Sequence, residues 1–248
     1  MAGSVGPIPC ARRGFGRRFG VAYAALAVAF WATVAAGTVL LVGSGGGDHV
    51  QAWASWKPTV SGFAAARQIA THVGDKYRLD DSVGSPLTFV HPTSVDADRL
   101  AGFVWHSGAG ELPSRKTLIY ELCGEGSNCE IAGRPGDAER QLVRREALEL
   151  ILYSYKYVKG YDSVVAFLPP EAGSPKKLSV VLFRDSELRN ELQRPLRLTL
   201  SAARPITPSR LSLVERDTIE ELTRPHWFNA EVRRLQSGSS ILELYPVS

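Results

Sequence analysis

Residues 137–168 read DAERQLVRREALELILYSYKYVKGYDSVVAFL, a helical pattern that runs into a strand pattern across Gly160. Val143, Ala147, Leu150, Ile151 and Val158 fall on one helical face, and Leu148 and Leu152 broaden it. Pro135-Gly136 interrupt what precedes, and Asp137 is placed to accept from the orphan amides of the first turn. Lys156 and Lys159 sit at the negative end of the dipole, and Gly160 offers a left-handed stop. The apolar, β-branched residues 162–168 then read as a strand.

Working outward, residues 59–77 predict a second helix, with Phe63, Ala66, Ile69, Ala70, Val73 and Tyr77 on one face. Shorter helices are expected over 185–193 and 213–223, each followed by a proline. Strands are expected at 87–90, 102–105, 117–122, 178–183 and 197–200. Residues 230–233 and 241–245 flank Gln236-Ser-Gly-Ser239 and predict a closing hairpin. Helices and strands mix without strict alternation, which predicts an α+β domain with a mainly antiparallel sheet.

Upstream lies a different kind of segment. Residues 20–42 are 23 residues without a charge, enough for a helix of about 35 Å. Arg12, Arg13, Arg17 and Arg18 precede this run, and no positive charge follows it until Lys57. The positive-inside rule places residues 1–19 in the cytoplasm and the C-terminal part outside. The run is long for a cleaved signal peptide, so an uncleaved single-pass anchor in a bacterial cell membrane is expected. Ala22, Ala25, Ala29, Ala32 and Ala36 recur at spacings of three and four, a small-residue stripe on which a second membrane helix could pack. Gly43-Ser-Gly-Gly-Gly47 reads as a flexible tether. The expected organisation is therefore a basic tail at 1–19, a span at 20–43, a tether and juxtamembrane segment at 44–58, and an extracytoplasmic domain at 59–248.

The net charge of +4 resides wholly in the tail, since residues from Asp48 onward carry 25 basic and 25 acidic side chains. Basic composition therefore gives no reason to expect a nucleic-acid partner. Cys123 and Cys129 bracket a Gly/Asn-rich loop in an oxidising compartment, so a structural disulfide is expected. His49, His72, His91, His106 and His226 are scattered singly, and no metal-ligand spacing, phosphate loop or hydrolase motif is present. Neither metal nor cofactor is expected.

Tyr153, Tyr155, Tyr157 and Tyr161 are expected to pack at core edges, and Trp53 and Trp56 to plug the base of the domain core, the alternative for the two indoles being the headgroup layer. Arg144-Arg145-Glu146 and Glu220-Glu221 read as solvated helix faces. The functional expectation is an interaction or assembly module. Its partner would be another envelope protein, or a second copy joined through the membrane helix. The alternatives are a solute- or glycan-binding domain and an enzyme whose site assembles only in three dimensions.

Overall fold

A computed structural model describes residues 52–80, 85–96, 99–106, 110–113, 116–131, 135–170, 178–202 and 204–247. The basic tail, the expected span with Ala22, Ala25, Ala29, Ala32 and Ala36, and the glycine tether lie outside them. Among the described residues no helix is long and apolar enough to cross a membrane.

Four α-helices form: α1 (Gly62–Gly74), α2 (Asp137–Tyr157), α3 (Arg189–Gln193) and α4 (Leu213–Thr223). The strands are β1 (Phe89–Asp96), β2 (Leu100–Trp105), β3 (Gly110–Pro113), β4 (Lys116–Cys123), β5 (Ser163–Leu168), β6 (Leu178–Arg184), β7 (Trp227–Arg234) and β8 (Ser240–Pro246). They join one sheet in the order β1-β4-β5-β6-β7-β8-β2-β3. Only β4–β5 and β8–β2 pair in parallel, so the fold is α+β with a mixed, mostly antiparallel sheet. The closing hairpin is present as β7–β8.

Chain length dictates the shape of this sheet. Strands β1 and β2 stand six spacings apart in the order, which is about 29 Å if the sheet were flat. Yet Asp96 and Leu100 are four residues apart, a reach of about 14 Å at most. The sheet must curl. Its inner face gathers Leu100, Phe103, Val165, Val180, Leu182, Phe228, Ala230, Leu242 and Leu244 into one buried cluster, flanked by Val95 of β1 and Ile119 of β4. The outer face of β4–β6 meets the helices in a larger cluster. There Leu118, Tyr120, Val164, Ala166, Val181 and Phe183 pack under Leu148, Ile151 and Leu152 of α2. β1 is an edge strand, which is where Pro92 can be accommodated.

Two expectations need correction. Residues 197–200 are not a strand, because Leu196–Leu198 form a 3₁₀ turn. The Leu-Arg-Leu-Thr-Leu alternation imitates a period of two, yet Leu196 and Leu200 are buried while Leu198 is 59% exposed. Apolar residues four apart make the buried face here, and the Leu200 amide donates to the Leu196 carbonyl at 2.8 Å. Nor does Asp137 cap α2. Gly136 occupies that position, its amide donating to Glu139 Oε2 at 2.8 Å, while Asp137 pairs with Arg140. Gly160 does take the left-handed conformation expected of it, with φ of +84°.

Cys123 and Cys129 form a disulfide with Cα atoms 4.4 Å apart. The loop folds tightly on itself: Gly124 N–H donates to the Cys129 carbonyl at 3.0 Å, and Gly126 N–H to Glu130 at 2.8 Å. A Cβ on Gly124 would lie 2.2 Å from the Glu130 carbonyl oxygen, so only glycine fits. So short a closed loop removes little unfolded-state entropy. Cys123→Ser should therefore cost about 2 kcal/mol in urea unfolding, leaving the domain folded.

Candidate functional site

A cavity of about 450 Å³ opens where four segments meet. Residues 52–56 form one wall, and the end of α1 with the turn after it brings His72 and Lys76. The middle of α2 brings Glu149 and Tyr153, one helical turn apart on the same face. The segment from Leu196 to Ile206 closes the other side with Arg197, Leu200, Ser201, Ala202 and Arg204.

Backbone bonds hold these walls in place. Leu196 N–H donates to the Trp53 carbonyl at 2.6 Å, and Ile206 N–H to the Lys76 carbonyl at 2.8 Å. Trp53 Nε1 donates to the Glu191 carbonyl at 3.1 Å. The wall aromatics interlock. Trp56 stacks on His72 with centroids 3.8 Å apart, and Tyr153 sets its ring edge to face against Trp53 at 5.3 Å and Trp56 at 5.6 Å.

Beneath the cavity lies a buried charge network. Lys76 Nζ donates to Glu149 Oε1 at 2.5 Å, and Tyr77 Oη donates to Glu149 Oε2 at 2.7 Å. Arg145 is wholly buried. Its Nη1 reaches Tyr77 Oη and Glu149 Oε2, its Nε reaches Glu215 Oε1 at 2.8 Å, and its Nη2 donates to the Ser201 carbonyl at 2.8 Å. Glu215 also accepts from Ser201 N–H at 2.8 Å, so both backbone groups of Ser201 are tied to this network. Lys76 and Arg145 are thus matched by Glu149 and Glu215.

Protonation follows from these contacts. Burial works against the Glu149 carboxylate, but Lys76 and Arg145 outweigh it and hold its pKa below the usual range. Lys76 shares that carboxylate with Arg145 and Tyr77, so for it burial prevails and the pKa falls below its ordinary value. Burial likewise opposes the Arg145 charge, yet Tyr77, Glu149 and Glu215 together push its pKa up. Glu146 differs: burial drives its pKa well above the carboxylate range, with one hydrogen bond from Thr88 at 2.9 Å and its Oε1 unpartnered.

His72 is pulled down to about 4, first by burial and then by Lys76 and Arg204. Its pKa is lower folded than unfolded, so the unfolded chain binds more protons between about 4 and 6.5. The His72 contribution is thus complete above pH 6.5 and is lost as pH falls toward 4. His72→Gln should flatten the fall in urea midpoint between pH 6.5 and 4.5. An unchanged slope would show that His72 does not carry it.

The electrostatic asymmetry of the cavity lies at its mouth. Arg197 and Arg204 line it and are exposed. Neither forms an ion pair among the described residues; Arg204 has only a 3.5 Å contact with His72 Nε2. The lining carries three cationic side chains, Lys76, Arg197 and Arg204, against Glu149 as its one acid. Both Glu149 oxygens already accept hydrogen bonds.

The tyrosines pack as expected, Tyr153 and Tyr155 buried in the larger cluster and Tyr157 and Tyr161 against it. Tyr155 donates to the Phe183 carbonyl at 2.6 Å and is structural, whereas Tyr153 lines the cavity. Trp53 is in the core as expected, but it also forms cavity wall. The solvated reading of Arg144-Arg145-Glu146 is overturned, since all three are buried. Arg144 pairs with Glu220 at 2.6 Å and lies over the Trp227 ring at 4.6 Å, while α4 covers Arg145 through Glu215. Nothing in the one-dimensional pattern marks which charged helix residues another helix will cover. Cys123 and Cys129 are not among the cavity residues. Among the described residues no group of three or more His, Cys, Asp or Glu is placed to hold a metal. The chain matches no family model, no curated protein and no solved structure.

Proposed function

We propose that this chain is a single-pass envelope protein whose extracytoplasmic domain holds a small ligand in the cavity between residues 52–56, α1, α2 and the Leu196–Ile206 segment. The carrying observation is the cavity itself: about 450 Å³, walled by aromatic rings, with Lys76, Arg197 and Arg204 in its lining. That volume and mixture are those of a ligand pocket. The solute-binding alternative therefore gains support over a pure assembly module. The pocket suits holding more than reacting, because both oxygens of its carboxylate already accept hydrogen bonds and burial makes its histidine a weak base.

The anchor rests on sequence: 23 uncharged residues preceded by four arginines. On this reading residues 1–19 are cytoplasmic and the alanine stripe packs against an envelope protein or a second copy. Native mass spectrometry of the full chain, released gently from membranes, tests the binding role. It should reveal a small-molecule adduct that declines in Trp56→Ala. Protein that emerges bare, with neither soluble nor membrane extracts raising its Tm, would refute ligand binding.

A further inference from the structure

We infer that the ligand of this pocket carries a phosphate group, seated by Arg197 and Arg204 at the mouth and Lys76 on the floor, with its body against Trp56, His72 and Tyr153. This inference rests on the binding role proposed above and specifies its chemistry. The starting point is charge. Below the cavity, Lys76 and Arg145 are neutralised by Glu149 and Glu215, all four buried. At the mouth, two guanidiniums have no carboxylate to pair with among the described residues. The site thus presents two uncompensated positive charges beside an apolar wall.

Hydrogen-bond supply points the same way. The Lys76 ammonium has three N–H donors, and the hydrogen bond it makes goes to Glu149. Each guanidinium offers a planar fork that matches phosphate oxygens two at a time. A carboxylate would bring one charge and two oxygens to this set. A phosphate monoester brings about two negative charges near neutral pH and three acceptor oxygens, which match both the charge and the donors. Glu149 does not oppose such an anion, because its own charge is spent on Lys76 and Arg145.

Two sources can supply that chemistry. One is a free phosphate ester. The other is a lipid headgroup, on the sequence reading that residues 20–43 anchor this domain in a membrane. A volume of about 450 Å³ fits a headgroup and leaves acyl chains outside.

The test uses the full chain in maltoside micelles, which contain no phosphate, with tryptophan emission as the readout. Glycerol 3-phosphate should bind saturably and glycerol should not. Arg197→Gln and Arg204→Gln should each weaken binding about tenfold, in line with loss of one charge-assisted contact. Both side chains are exposed, so the variants should keep the wild-type circular dichroism and Tm, as should the control Arg234→Gln, which should also keep its affinity. Doping the micelles with phosphatidic acid then separates the sources. Lost affinity for glycerol 3-phosphate, with an arginine-dependent rise in Tm, supports a lipid phosphate; unchanged affinity supports a free ester. No saturable binding and no arginine-dependent response to phosphatidic acid overturns the phosphate inference. If a non-phosphorylated extract still raises Tm, ligand binding stands and only the phosphate falls; if nothing does, both fall.

Discussion

Arg145→Met should destabilise the domain by about 3–5 kcal/mol, the cost of removing one partner from a buried ionic set. The side chain is fully buried and touches Tyr77, Glu149, Glu215 and Ser201. Methionine fills similar space but strips the Glu215 carboxylate of its buried cation, leaving it the Ser201 amide, and leaves the Ser201 carbonyl without its donor. It also leaves Glu149 with Lys76 as its one cation. For a domain of this size the loss corresponds to a fall in Tm of about 10 °C. Asp137→Asn is the contrast, because its pair with Arg140 is exposed and should contribute nothing measurable. The network also ties Ser201, and so one pocket wall, to α2 and α4. Milder variants such as Tyr77→Phe should therefore loosen ligand binding along with stability. Urea unfolding of Arg145→Met beside Asp137→Asn makes the check. Equal midpoints would mean the buried network does not support the fold.

Trp53→Ala should cost a similar amount, about 3–5 kcal/mol, through lost burial and the void left behind. The indole is 8% exposed. It meets Tyr153 edge to face at 5.3 Å and Tyr157 at 5.8 Å, and the Lys156 ammonium lies 5.5 Å from its ring centre. Its Nε1 is the donor to Glu191, so truncation also orphans a buried carbonyl. Trp56 is half-buried, so Trp56→Ala should lose much less stability while still impairing the pocket it walls with His72 and Tyr153. A fragment starting at Thr59 lacks both indoles and should melt well below one starting at Ala52. Equal melting of the two fragments would remove Trp53 from the core account.

The elements legible in the sequence are those whose side chains obey one period. α4 spans the 213–223 expected of it, and α2 ends two residues inside its expected limit. The β7–β8 hairpin likewise follows from two apolar runs around a Ser-Gly turn. Where two periods compete, the reading fails, as at Leu196–Leu198, where alternating leucines conceal a face of residues four apart. The curl of the sheet was not legible, because it depends on which strands pair across long sequence distances.

The site was hidden for a related reason. Lys76, Glu149 and Arg204 are far apart in the chain and converge only after α1, α2 and the Leu196–Ile206 segment pack. Arg145 and Glu149 do stand at i and i+4, but that spacing also describes a surface pair. What distinguishes them is the cover supplied by α4, a tertiary fact. The disulfide was legible because a short glycine-rich loop joins its two cysteines.

The most direct measurement of the central claim, that the cavity is where this domain acts, is a thermal titration of the full chain with fractions extracted from its own membranes. Wild-type protein should show a saturable rise in Tm with at least one fraction, as mass action requires of a ligand that binds only the folded state. Ala202→Trp, which places an indole in the cavity from an exposed position, should keep the unliganded Tm and lose that rise. A saturable rise that survives Ala202→Trp unchanged, or the absence of any rise in the wild type, would contradict the account.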